Sequence, residues 1–508
     1  PASESGWSLV AGGLAQRNDV DGDQGVTVTA TDSATLEADN TMEAITTVSN
    51  DGGISTALSA LDGLANEYQF TQNSGERKLR FGQKLLHAQG TADAADDKLY
   101  MFVGEDPALA TDDVDGYVTV DLSTTDFTDE TLWREIDPID LAGIFGILND
   151  VGFNFNISES DATAAGGLIA LNDLRAGTDA IVGRSDVDTT DGSISISASE
   201  AAHIASTNTG IVEADGGSVF AAGEESSSVV AVNAIIATNT VLAEARAIAR
   251  DADMTARDAE DGVDGGDLTV AADNSATIAA TTTTTTRVQG GGGSSVGVGV
   301  AMAFNSVGIE PQNVLFNTVD ALLGTGIGDV DRARAYAAVE GGSAVADDAL
   351  SVTAANAGSI TAEVENTVIV SSISIGSSED EKAISVAPIV TLNRVASGAV
   401  ANVVEAGELR SNDGSITVSA ADMAAIRAEV LAASASVSLN LGSGKSLSFA
   451  IAASIARNQI DAIVEAAILS TGTDAAPVSA AAGGVSVLAF QNATIEAIVR
   501  AVAASVSV

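Results

Sequence analysis

The stretch LTVAADNSATIAA, residues Leu268 to Ala280, decides how this chain is read, because close variants of it occur elsewhere in the sequence. The others are VTVTATDSATLEA from Val26, ISISASEAAHIAS from Ile194, LSVTAANAGSITA from Leu350, ITVSAADMAAIRA from Ile416 and VSVLAFQNATIEA from Val485. Position 1 is always aliphatic, position 3 is Val or Ile, and position 5 is always Ala: Ala30, Ala198, Ala272, Ala354, Ala420 and Ala489. Alternate residues of a strand share a face, so these positions form one inward face, and the Ala marks where the core narrows. Position 7 is a carboxylate or an amide (Asp32, Glu200, Asn274, Asn356, Asp422, Gln491), residue types that bond their own backbone and turn a chain. Position 11 is aliphatic again, so a second strand starts just past the turn.

From Ile194 onward the copies are spaced by 74, 82, 66 and 69 residues, whereas the first interval is 168. Each copy has a second landmark, an Asn followed two residues later by an aliphatic: Asn172, Asn239, Asn305, Asn393 and Asn458, with Asn18 reading as the tail of an earlier copy. In NQIDAIVEAAI, Ile460, Ala462, Val464, Ala466 and Ile468 alternate with Gln459, Asp461, Ile463, Glu465 and Ala467, which is mainly strand patterning. Helix is the rival reading for Ala-rich stretches such as DMAAIRAEVLAA. In-register alternation, β-branched key positions and the punctuation at Asp191-Gly192, Gly265-Gly266, Asp413-Gly414 and Gly483-Gly484 favour strand.

The expected fold is therefore all-β, a parallel β-solenoid of degenerate repeats, which fixed-period self-similarity predicts. A slim solenoid takes about 20–30 residues per turn, so each copy is expected to make about three coils. The landmark Asn residues would then lie about 14 Å apart and could not stack; a direct Asn ladder would require one coil per copy.

The long first interval predicts an inserted module over residues 64–165. It holds eleven of the eighteen aromatics and three of the five Lys residues of the chain. Such a composition suits a small, mostly β unit with its own core. KLYMFVG and GYVTVDL read as strands, and TTDFTDETLW as a turn leading into a short capped helix. The expected organisation is a solenoid start over 1–63, the module over 64–165, and repeats over 166–262, 263–345, 346–411, 412–482 and 483–508.

Composition excludes several functions. The net charge is −48, which opposes nucleic acid. Cys is absent and His occurs only at His87 and His203, which disfavours thiolate chemistry, His catalysis and His-rich metal sites. Apolar runs are interrupted well before about 18 residues, so no membrane insertion is expected. The chain opens on Pro1 rather than Met, as a processed product or a piece of a longer protein would.

Three candidate sites remain. Asp-rich turns offer oxygens for calcium: Asp19, Asp21 and Asp23; Asp112, Asp113 and Asp115; Asp261, Asp264 and Asp267. Plain solvated turns are the favoured explanation, since none of the three has a full twelve-residue loop with its terminal Glu. In the module, Tyr100, Phe102 and Trp133 are candidates for stacking against carbohydrate, against the alternative that they form its core. The Thr281 to Thr286 tract has the composition of a surface-binding row, but Thr is also an ordinary strand residue. GGGGSS, Gly290 to Ser295, reads as a flexible loop. No Asp cluster with Lys or Arg recurs on one face, so an enzyme is not expected.

The VTVTATDSATLEA-type strands, with arms such as GGLIALNDLRAGTDAIV and AIAASIARNQIDAIVEAAI, resemble the leukotoxin-like filamentous adhesin family of very large bacterial exoproteins. The inserted KLYMFVG, GYVTVDL and TTDFTDETLW segments resemble an insertion in the same proteins. The resemblance implies secretion or a cell-surface location, β-helical architecture and adhesion, with a carbohydrate or cell-surface receptor as partner. It also fits self-association head to tail or membership of a longer parent chain. The alternative is a carbohydrate-binding or polysaccharide-degrading β-helix.

Overall fold

A computed structural model describes residues 18–22, 25–47, 70–79, 83–87, 98–102, 118–127, 129, 132–136, 162–217, 227–259, 266–291, 293–310, 330–375, 380–470 and 477–508. Among these residues the chain is almost all β, and four large parallel sheets form a solenoid. The long sheet contains Ala162–Gly183, Ser227–Arg250, Gly293–Val307, Ala333–Glu340, Glu381–Val404 and Ser446–Leu469. A corner sheet follows, with strands Asn18–Gly22, Ser185–Thr189, Asp253–Ala256, Ser343–Ala346, Glu408–Ser411 and Val478–Ala480. Next comes a short sheet carrying the opening motif: Val26–Asp32, Ile194–Glu200, Leu268–Asn274, Leu350–Asn356, Ile416–Asp422 and Val485–Gln491. A return sheet closes each coil: Thr35–Thr47, His203–Gly217, Thr277–Gly291, Ser359–Ile375, Ala425–Leu441 and Thr494–Ser507.

One motif copy is one coil, not three. Leu268 stands in register with Ile194 on one side and Leu350 on the other, and Ile416 with Leu350 and Val485. Val26 pairs with Ile194 although 168 residues separate them, so the insertion leaves the stack unbroken. The expected coil count failed because the coil is wide and flat. Glu381–Val404 runs 24 residues, a contour of about 80 Å. The short and return strands Ile416–Asp422 and Ala425–Leu441, of 7 and 17 residues, run back along it.

Direct stacking of the landmark Asn residues follows. Asn172 Nδ2 donates to Asn239 Oδ1 at 2.7 Å, and the same bond joins Asn239 to Asn305, Asn305 to Asn393 and Asn393 to Asn458 at 2.8 Å each. Asn18 is not a rung of this ladder: it lies in the corner sheet opposite Ser185.

The interior is thin because its residues are small. Where the long sheet faces the short and corner sheets, Ala245, Ala247 and Ala249 pack with Ile194, Ile196, Ala198 and Met254. Further along, Val229 and Ala231 meet Val212, Ala214 and Val288 of the return sheet. The SVGVGVAMAF run, Ser295 to Phe304, does not alternate apolar with polar residues because both of its faces are covered. Ala301 and Ala303 face Val364 and Val430 inside, while Val298, Val300, Met302 and Phe304 form an outer cluster with Ile236, Val386 and Leu392. Strands buried on both faces read as continuous apolar runs.

GGGGSS is not a loop. Gly290 and Gly291 end one strand and Gly293 to Ser295 begin the next. A Cβ on Gly290 would fall on the Ser295 hydroxyl, which would have to rotate away, and would stand 3.3 Å from the Ser295 Cβ, so the two walls approach closely there. The Thr tract is divided by the strand period: Thr282, Thr284 and Thr286 are buried inside, and Thr281, Thr283 and Thr285 lie half-buried on the outer face. No helix among the described residues is long and apolar enough to cross a membrane.

Candidate functional site: an acidic edge and an aromatic module

The corner sheet and the turn after it collect carboxylates from successive coils. Asp19, Asp186 and Asp253 share one register position, and Asp21 and Asp188 another. Val187 and Met254 point into the core, so Asp186 and Asp188 face outward, because neighbouring strand residues alternate. Part of this charge is offset: the Arg257 guanidinium lies 3.3 Å from Asp188, and Ser343 Oγ donates to Asp253 at 2.8 Å.

Past the corner sheet, Asp258, Asp267, Asp347, Asp348, Asn412 and Asp413 form a second acidic group. Asp347 accepts the Asp258 backbone N–H at 3.0 Å and Asn412 Nδ2 at 2.7 Å. Asp267 Oδ1 accepts the Ala349 N–H at 2.9 Å. These bonds join turns of adjacent coils. Burial raises the Asp348 carboxyl, and the negative charges of Asp267, Asp258, Asp413 and Asp347 add to the rise.

Of the residues predicted to bind calcium, the structure places Asp19 and Asp21 in the corner sheet and Asp267 in this second group. Asp23, Asp261 and Asp264 lie outside the described residues, as do Asp112, Asp113 and Asp115. No group of three or more metal-ligating side chains converges among the described residues. Sequence reading missed Asp186, Asp253, Asp347 and Asp413, which lie in separate copies and come together only through the coil register.

The module strands Phe70–Thr71, Lys84–His87, Lys98–Phe102 and Trp133–Ile136 form one small sheet, and Glu76–Leu79 pairs with Val118–Asp121. Where a short helix was expected the described residues form turns. The Asp121 carbonyl accepts the Thr125 N–H, the Asp129 carbonyl accepts the Trp133 N–H, and Trp133 then enters a strand.

Tyr100, Phe102 and Trp133 are core residues, packed with Leu79, Leu85 and Leu122. Phe102 and Trp133 meet edge to face at 5.3 Å, and Trp133 Nε1 donates to Thr125 Oγ1 at 3.0 Å. With exposures of 8%, 1% and 2%, the three rings offer no face to a sugar, which corrects the stacking expectation. Trp133→Ala is expected to cost the module about 3–5 kcal/mol. Limited proteolysis should then cut within the module while the solenoid fragments and the strand circular dichroism persist.

Compared with family models, curated proteins and solved structures, the chain matches none.

Proposed function

We propose that this chain is a non-enzymatic structural and adhesive segment of a large secreted or surface-attached bacterial filament protein. The observation that carries the reading is the unbroken register from coil to coil: each wide coil adds about 4.8 Å along the stack and offers its end to a further coil, so a long stack needs many coils in series. The family resemblance adds the extracellular or cell-surface setting and a carbohydrate or cell-surface receptor. The high negative charge keeps such an array soluble.

End-to-end continuation fits the outermost coil. Its inward-pattern residues Val485, Val487, Ile495 and Val499 are 45–50% exposed. A further coil, from the same polypeptide or a second copy, would cover them. The first short strand presents Val26, Val28 and Ala30 in the same motif order, with Asp32 placed to meet Gln491. Calcium fits as a weak counter-ion along the acidic edge, not as a caged ligand, since calcium takes six to eight oxygens in a dedicated site.

Electron microscopy of the purified chain over a concentration series tests the assembly. Stacks that lengthen by whole units, and single units for Val487→Lys, are expected. Isolated units at every concentration, together with no retention on cell-surface glycans, would remove the filament reading. Release of unsaturated products from acidic polysaccharide would favour the enzyme alternative.

A further inference from the structure

The polar ladder of the short sheet is one donor short. Asn274 Nδ2 donates to Asn356 Oδ1 at 2.8 Å, and Asn356 Nδ2 donates to Asp422 Oδ2 at 2.8 Å. Asp422 Oδ1 takes the Ala424 N–H at 3.1 Å, which ends the run. All the amide donors point the same way along the stack, so Asn274 Oδ1 is left as the open acceptor. It is buried and has no hydrogen-bond partner.

The residue in register with Asn274 on the preceding coil is Glu200, itself 1% exposed. Glu200 Oε2 accepts Thr178 Oγ1 at 2.8 Å, while Oε1 is buried without a partner. Two orphaned oxygens therefore sit on neighbouring rungs, whose backbones lie about 4.8 Å apart. An ionised carboxylate has only acceptors to offer an amide oxygen, whereas a protonated carboxyl has one donor.

We propose that Glu200 is held in the folded chain as a neutral carboxylic acid whose Oε1–H donates to Asn274 Oδ1, making it the first donor of the short-sheet ladder. The surroundings agree. Asp32, in register on the other side, is the charged group facing Glu200. The long sheet contributes Thr178 and its register partner Ala245, and the Ala243 carbonyl lies against Asn274. Buried Ala202, just before the return strand, and Ile204 within it close the other side. Burial raises the Glu200 carboxyl above its ordinary value; the Thr178 hydroxyl and the Ala201 N–H oppose the rise, and the Asp32 charge adds to it. Calcium would need six to eight oxygens, and no group of three or more metal-ligating side chains converges among the described residues, whereas a proton completes the ladder alone.

The linkage has a definite sign. A carboxyl raised on folding contributes its stability fully below the unfolded value, about 4.3, and loses it as pH rises through the folded value. Glu200→Gln keeps the shape, accepts from Thr178 and donates to Asn274 at every pH. In the full chain, the melting temperature of this variant relative to the native protein is expected to climb as pH rises from about 4 to about 8. Asp32→Asn removes the neighbouring charge and should move the native protein's loss of stability to lower pH.

Infrared difference spectra of folded native protein against Glu200→Gln, taken at about pH 6, should show a protonated carboxyl carbonyl band in the native protein alone. Absence of that band, or a gap between native and Gln forms that does not change with pH, overturns the proposal. So does calcium that raises the native melting temperature but not that of Glu200→Gln, because a cation would then hold the orphaned oxygens.

Discussion

Asn305→Leu is expected to destabilise the centre of the solenoid by about 2–6 kcal/mol, because it orphans two buried groups at once. Asn305 accepts from Asn239 and donates to Asn393, and all three are at most 2% exposed. Truncation leaves Asn239 Nδ2 without an acceptor and Asn393 Oδ1 without a donor, and each buried orphan costs about 1–3 kcal/mol. Energetics of stacked repeats are close to a sum over coils and their interfaces, so the loss should centre on the coils around Asn305. Hydrogen exchange resolved by segment would show this as faster exchange in 293–307 and 381–404. Asn305→Asp sharpens the test. The carboxylate accepts from Asn239 but cannot donate to Asn393, so it should be at least as harmful at neutral pH and recover as acid protonates it. Equal exchange in native and Leu proteins would mean that the ladder adds no stability.

Gly342→Ala is the second large effect. Four strands of the long sheet end at a corner with left-handed backbone: Arg184 at φ 52°, Asp251 at 49°, Gly341 at 69° and Glu405 at 53°. These corner residues keep the ladder running, since the N–H groups of Arg184, Asp251, Gly341 and Glu405 reach carbonyls of the next coil at 2.7–2.9 Å. Gly342 adds a second left-handed residue, at φ 62°, and a Cβ there would fall on the Ala252 carbonyl oxygen. Left-handed backbone costs an L-residue about 1–2 kcal/mol, and forcing the coils apart adds about 1–3 kcal/mol. The variant is expected to denature at clearly lower urea concentration, with the Ser343–Ala346 strand losing exchange protection first. Glu405→Gly, by contrast, relieves a strained position and should be neutral or slightly stabilising.

Local pattern carried the fold class. Alternation in VTVTATDSATLEA and its variants, Ala at position 5 and Gly-Asp punctuation lie within a few residues of one another, and side-chain period alone separates strand from helix there. The acidic edge was legible only in part, since Asp21 and Asp267 stand out in their turns while Asp186 and Asp347 do not. Tyr100, Phe102 and Trp133 show why aromatic content cannot by itself separate a binding face from a core: the same rings suit both, and burial decides.

The sequence by itself determined that this is an all-β chain of repeated strands, because inward face, narrowing and turn are written into a dozen consecutive residues. Only the tertiary structure decided that one copy is one wide coil. That property depends on which distant strands pair, and Asn239 and Asn305 are 66 residues apart yet 2.8 Å from each other. The same pairing places Glu200 beneath Asn274, where a missing hydrogen bond has meaning only because the two coils stack.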